Sequence, residues 1–186
     1  PEANQEIGAT AFYFAQNISR RTGRIVGIIQ SAYGGTPAES WTPLSALEKI
    51  PELNHYAARV HEALAAGKTG AEWAAELKTA EQTKTNLEFV MRNNPASRRS
   101  PAVMYENMIA PLIPFTTRGV IWYQGEASTH AGDEYRILFP AMINAWRAAW
   151  QRPDWPFIFA QLPAHDDPVR HRDWATLRAA QTFTRD

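Results

Sequence analysis

Three short apolar runs set the strongest constraint on what this chain can fold into. Arg24 to Gln30 reads R-I-V-G-I-I-Q, Arg118 to Gln124 reads R-G-V-I-W-Y-Q, and Pro156 to Leu162 reads P-F-I-F-A-Q-L. Each is strand-sized and continuous rather than alternating, as expected of a strand covered on both faces. Stripes at helical spacing separate them. Ile7, Ala11, Phe14 and Ile18 precede the first run, with Gly23 as a natural stop. Leu138, Ala141, Met142, Ala145, Ala149 and Trp150 lie between the second and third, where Pro140 is tolerable only near a first turn or at a kink. Trp174, Leu177 and Ala180 open a last helix. This alternation predicts an α/β chain: a mostly parallel sheet between two helical layers, a three-layer α/β/α sandwich. Its ligand crevice lies at the C-terminal ends of the strands.

The stretch from Leu44 to Ser100 breaks the rhythm. It is rich in Ala, Glu and Lys, with Tyr56, Val60 and Leu64, then Trp73 and Leu77, at helical spacings, and it reads as a helical insertion. Its last residues, Arg92 to Arg99, read as a solvated loop rather than an anion site. At 186 residues, 1–186 is expected to be a single domain carrying this insertion at about 44–100. Nineteen Lys and Arg balance nineteen Asp and Glu, which excludes a polybasic nucleic-acid arm. No window approaches the roughly 20 apolar residues that span a bilayer, so no membrane partner is expected. The absence of cysteine rules out thiolate metal sites and a Cys nucleophile.

Chemistry is expected where the runs end. The first leads into S-A-Y-G-G-T-P, where Gly34 and Gly35 let backbone N–H groups approach a ligand without a Cβ in the way, half of an oxyanion hole. A plain tight turn fits the same pair. The G-x-x-x-x-G-K-[ST] and G-x-G-x-x-G spacings of phosphate and dinucleotide loops are absent. The second run ends I-W-Y-Q-G-E: Gln124 at the strand tip offers an amide donor to a developing oxyanion, and Glu126 offers a carboxylate that orients a neighbour. A turn stabilised by the same two side chains is the alternative reading.

Four ordered blocks carry a resemblance: I-I-Q-S-A-Y-G-G-T-P-A-E-S-W, Y-E-N-M-I-A-P-L-I-P-F, G-V-I-W-Y-Q-G-E, and P-F-I-F-A-Q-L followed by W-A-T-L-R-A-A-Q. Together they resemble the sialate O-acetylesterase family, a carbohydrate-esterase branch of the SGNH hydrolases, over nearly the whole chain outside the insertion. The resemblance implies a flavodoxin-like SGNH fold that removes acetyl groups from sugar hydroxyls. It uses a Ser nucleophile and a His base oriented by an acid, and it implies no metal and no cofactor. The implied oxyanion donors are the nucleophile's own N–H, a backbone N–H at Gly34 or Gly35, and the Gln124 amide. An acetylated carbohydrate is the implied partner, and the resemblance leans toward an exported protein. The family's G-Q-S-N-M and D-x-x-H-like blocks do not occur in these residues. The chain is therefore expected to be a fragment of the fold, incomplete at both ends, with Ser and His supplied from outside it.

Other residues fit bland readings better. Ser31 lacks a G-x-S-x-G elbow, although a serine hydrolase using Ser31 stays as an alternative. A non-catalytic carbohydrate-binding or scaffold domain of the same fold is another. Ser128 reads as a loop cap. His55 and His61 belong to the insertion, and His130, His165 and His171 to polar loops, with His130 and His165 the better candidates to line a site because both follow strand ends. His165-Asp166-Asp167 and His171-x-Asp173 lack a recognised metal-ligand spacing. Trp41, after the glycines, is the indole expected to line the sugar site; most of the other tryptophans are expected in the core.

Overall fold

The structure, a computed structural model, describes residues 7–165 and 173–185. Its contacts sort into two units, Pro1–Gly34 and Gly35–Asp186.

In the first unit, helix α1 spans Ala9–Thr22 and ends where the sequence predicts, with Gly23 left-handed at φ 67° and its N–H bonded to Ser19 O at 2.9 Å. The stripe predicted for it is not buried. Phe14 and Ile18 are 38% and 37% exposed, and Ala15 alone is buried. The first apolar run forms no strand either: residues 24–33 carry neither helix nor ladder, and Ile25 is fully exposed. β-branched residues favour a strand only where a neighbour completes its hydrogen bonds, and no ladder reaches this run among the described residues.

In the second unit the other two runs form strands as expected. β1 (Val120–Trp122) and β2 (Phe157–Phe159) pair in parallel, Val120 opposite Phe157 and Trp122 opposite Phe159. Val120 N–H to Pro156 O and Ala160 N–H to Trp122 O, both 2.9 Å, extend the ladder at either end. β2 is not covered on both faces, since Ile158 is 52% exposed. The insertion is helical: α2 (Leu44–Lys49), α3 (Asn54–Ala65), α4 (Gly70–Thr83) and α5 (Leu87–Asn93). α4 begins with a reciprocal cap in which Thr69 Oγ1 accepts from Glu72 N–H and the Glu72 carboxylate accepts from Thr69 N–H. Residues 92–99 are not a solvated loop. Arg99 Nη1 pairs with Glu88 at 2.6 Å, and Asn94 and Ser97 are buried.

The crossover helix α6 spans Gly132–Ala149, starting six residues before Leu138, so Pro140 lies well inside it. α7 (Trp174–Arg185) packs along α6, burying Leu177 and Ala180 against Tyr135, Leu138 and Phe139. Trp122 of β1 sits at the centre of this core. Trp41 and Trp146 meet it edge-on at 5.9 and 5.8 Å between ring centroids, arrangements that aromatic quadrupoles favour. The chain is thus α/β, with a small parallel sheet and many helices. Among the described residues no helix is long and apolar enough to cross a membrane.

Candidate functional site

β1 delivers Gln124 to the sheet's C-terminal end, and four hydrogen bonds fix it there. Gln124 Nε2 donates to Thr36 O at 3.1 Å and to Ser128 Oγ at 3.2 Å, while its Oε1 accepts from Tyr135 OH at 3.1 Å. Its backbone carbonyl accepts from Gln181 Nε2 at 3.1 Å, and Gln181 Oε1 accepts from Leu162 N–H at 2.9 Å. The amide therefore points one way only. Burial raises the Tyr135 phenol well above its ordinary range, so it stays a neutral donor to Gln124.

The same bonds join two motifs far apart in sequence. Thr36 follows the glycine pair, and Ala38 N–H donates to Ser128 Oγ at 3.1 Å, so Ser128 accepts from both the T-P-A-E-S-W segment and Gln124. That is the loop-capping role expected of it. Gly35 is exposed, with φ 74° and open space where a Cβ would stand; the residue is set by backbone conformation and leaves room for a ligand. Gly34 is exposed as well and is the last residue of the first unit, which also holds the half-buried Ser31.

Glu126 is exposed at the start of a tight helical turn, Glu126–Ala131, and its carbonyl accepts from Thr129 Oγ1 at 3.0 Å. His165 is exposed, its ring edge against Trp174 at 4.8 Å. Trp41 departs from expectation. It is 3% exposed, with its Nε1 donating to Thr36 Oγ1 at 2.8 Å and its carbonyl accepting from Trp146 Nε1 at 2.9 Å. A ring so enclosed has no open face for a sugar; it holds Thr36 through its Nε1. His130 Nδ1 stands 3.4 Å from Arg92 Nη2, His55 Nε2 3.4 Å from Glu134 Oε1, and His61 Nε2 2.9 Å from Glu48 Oε1. Asp166, Asp167 and His171 lie outside the described residues.

The sequence reading missed a buried charge. Glu39, inside T-P-A-E-S-W, is 1% exposed, with Arg92 Nη1 3.1 Å from its Oε1 and Ala102 N–H on its carbonyl at 3.0 Å. Burial pushes its carboxyl up to about 7, against the pull of Arg92 in the other direction. Arg92 Nε also pairs with Glu88 one turn earlier on α5 at 2.7 Å, so the Arg92–Glu39 contact ties α5 to the T-P-A-E-S-W segment. The one signal available was an acidic residue in the short A-E-S-W stretch directly after Pro37.

Residues 94–185 match the family described as carbohydrate esterase, sialic acid-specific acetylesterase. The chain is 30% identical to the sialate O-acetylesterase of Rattus norvegicus over 149 residues, 75% of this chain and 26% of the relative. It is 26% identical to that of Homo sapiens over 147 residues, 78% of this chain and 22% of the relative. It thus spans about a quarter of the length of these curated relatives. Among solved structures, a carbohydrate acetylesterase from Xanthomonas citri superposes with a TM-score of 0.66 at 28% identity, over 96% of this chain and 32% of that one. The motif blocks, the α/β fold and these likenesses agree, and residues 94–185 belong to the carbohydrate esterase family of sialic acid-specific acetylesterases.

Proposed function

We propose that these residues form part of a carbohydrate O-acetylesterase, in which Gln124 and a backbone N–H of the Gly34-Gly35 pair stabilise the oxyanion formed as an acetyl ester is attacked. The observation that carries the reading is the Gln124 amide, held at the C-terminal end of β1 by Tyr135 and bonded to the glycine segment through Thr36 O. In the reaction a serine Oγ adds to the acetyl carbonyl and the carbon–oxygen bond to the sugar breaks. The sugar hydroxyl leaves with a proton from histidine, and water then hydrolyses the acyl-enzyme. Such acyl transfer needs neither metal nor cofactor. The serine and histidine are supplied by segments beyond the motifs present here.

The ester carbonyl becomes an anion at the transition state, and the Gln124 hydrogen now given to Ser128 Oγ at 3.2 Å is the one it competes for. A bond to a full negative charge is the stronger of the two. Glu126, two residues on, orients this turn or a neighbouring side chain, and His165 lines the approach to the same strand ends. The reading extends to one three-layer α/β/α domain over 1–186, to an acetylated glycan as partner, and to an exported protein. A fluorophosphonate probe on the native full-length protein tests it, with the labelled peptide mapped by mass spectrometry. Label on a serine outside these residues, together with a fall of roughly a hundredfold or more in kcat for Gln124→Ala, supports it. Label on Ser31, or unchanged deacetylation by Gln124→Ala, overturns the assignment.

A further inference from the structure

Arg92 belongs to α5, in the helical insertion, far along the chain from Gly35 and from Gln124. Its guanidinium nevertheless reaches the segments that follow both. Nη1 stands 3.1 Å from Glu39 Oε1, next to Ala38 in the T-P-A-E-S-W segment. Oε1 accepts from Arg92 whether or not the carboxyl holds a proton on its other oxygen. Nη2 stands 3.4 Å from His130 Nδ1, two residues after Ser128 in the Glu126–Ala131 turn. Nε donates to Glu88 Oε1 at 2.7 Å, and Arg99 Nη1 holds the other oxygen of that carboxylate at 2.6 Å, so the guanidinium is itself anchored. The Arg92 side chain is 13% exposed. Donors fixed in one plane and pointing three ways are a property of arginine; a lysine ammonium is a point charge on a flexible stem.

The two arms converge on one atom. Ala38 N–H and Gln124 Nε2 both donate to Ser128 Oγ, at 3.1 and 3.2 Å, and Ser128 is buried. Ala38 is the chain neighbour of Glu39, and Ser128 shares its turn with His130. A shift of either segment therefore moves one side of the Ser128 contact against the other and turns the Gln124 amide with it. The second acceptor of that amide, Thr36 O at 3.1 Å, lies in the segment that Glu39 anchors. A misplacement of about 1 Å in groups that act on a transition state costs on the order of a hundredfold in rate, so a grip of this kind has a kinetic consequence without touching the ester.

We propose that Arg92 is a positioning residue for the oxyanion donor: by gripping Glu39 and His130 together it fixes Ser128 Oγ, and through Ser128 the aim of the Gln124 amide. The proposal rests on the reading of Gln124 as an oxyanion donor and deepens it, giving the helical insertion a part in the chemistry.

The test uses the native full-length protein with 4-nitrophenyl acetate and an acetylated methyl glycoside. Arg92→Ala is expected to lower kcat about tenfold on both esters, with KM nearly unchanged, because the acetyl carbonyl is common to the two. In the Gln124→Ala background the same substitution is expected to cost less than about twofold, since the group it aims is gone. Ethylguanidinium replaces the atoms that Arg92→Ala removes and reaches their place from a cavity of about 430 Å³ that Arg92 lines. It is expected to restore part of kcat in Arg92→Ala and none in the variant that also lacks Gln124. An unchanged kcat in Arg92→Ala overturns the proposal. So does an equal loss in both backgrounds, which marks support of the fold, and so does a rise in KM confined to the glycoside, which marks direct contact with substrate. If Arg92→Ala does not fold, His130→Ala, at an exposed residue, opens one arm alone. A loss of about threefold in kcat that vanishes in the Gln124→Ala background then supports the grip, and no loss ends it. A kcat left unchanged by Gln124→Ala itself sinks the oxyanion reading and the role of Arg92 with it, whereas a large loss there and none at Arg92 sinks the role of Arg92 alone. If the wild type hydrolyses neither ester, the esterase reading fails, and the crystal structure of Arg92→Ala judges the grip: a Gln124 amide turned away from Ser128 Oγ supports it, and an amide still in place ends it.

Discussion

Glu39 carries the clearest consequence at the scale of single residues. Its carboxyl is pushed from an ordinary 4.5 up to about 7 by burial, so the folded state holds a proton that the unfolded state has released. Below 4.5 both states are protonated and the group contributes nothing to the pH dependence. From there to about 7 the folded state loses stability as pH rises, by at most about 3 kcal/mol for a shift of this size. Glu39→Gln is expected to flatten that slope. Melting temperatures of the two proteins at pH 4.5 and pH 8 check it, and parallel curves would show that Glu39 titrates alike in the folded and unfolded states. Gln124 and Glu39 also show which residues a sequence exposes to reading. Gln124 was legible because the strand and the turn that aim it are neighbours in the chain. Glu39 was not, because its burial is made by Arg92 and Ala102, more than fifty residues away. Trp41 was misread for the same reason: the indoles of Trp122 and Trp146 that enclose it come from other elements.

At the scale of elements, the turn after β1 presses closely on α7. A Cβ on Gly125 would stand 2.7 Å from Leu177 Cδ2 and 2.8 Å from Leu162 Cδ1, and both leucines are fully buried, so neither has space to yield. Gly125→Ala is therefore expected to destabilise the fold by about 1–3 kcal/mol, read as a lower denaturant midpoint at unchanged slope. Because Gln181 of α7 holds the Gln124 carbonyl, the same change is expected to lower kcat as well. An unaltered midpoint would mean that the two leucines repack. The helices were readable in outline, since a stripe of apolar residues marks one face whatever lies opposite. Their limits were less so. The stripe that predicted a helix from Leu138 begins a turn and a half late, because Gly132 and Asp133 look like loop residues and the interior Pro140 argues against a long helix. The turns across Tyr105–Ile109 and Ala110–Leu112 were not read at all; Pro111 and their short, irregular winding leave no steady period.

For the molecule as a whole, the α/β class followed from alternating runs and stripes, but which runs pair did not. A strand is a relation between two segments, and R-I-V-G-I-I-Q has the side chains of a buried strand without a ladder among the described residues. Its apolar groups therefore meet solvent within the first unit: Ile25 is 100% exposed, Ile29 53%, and Tyr13 of α1 65%. Apolar surface of this kind binds apolar dyes and other proteins. The 186-residue chain by itself is expected to enhance the fluorescence of anilinonaphthalene sulfonate. Ile25→Lys combined with Ile29→Lys is expected to reduce that enhancement, with helix content unchanged by circular dichroism because neither residue lies in a helix. If the double variant binds as much dye as the parent, the dye reports another surface. If helix content falls with it, the run supports structure that exposure alone does not reveal.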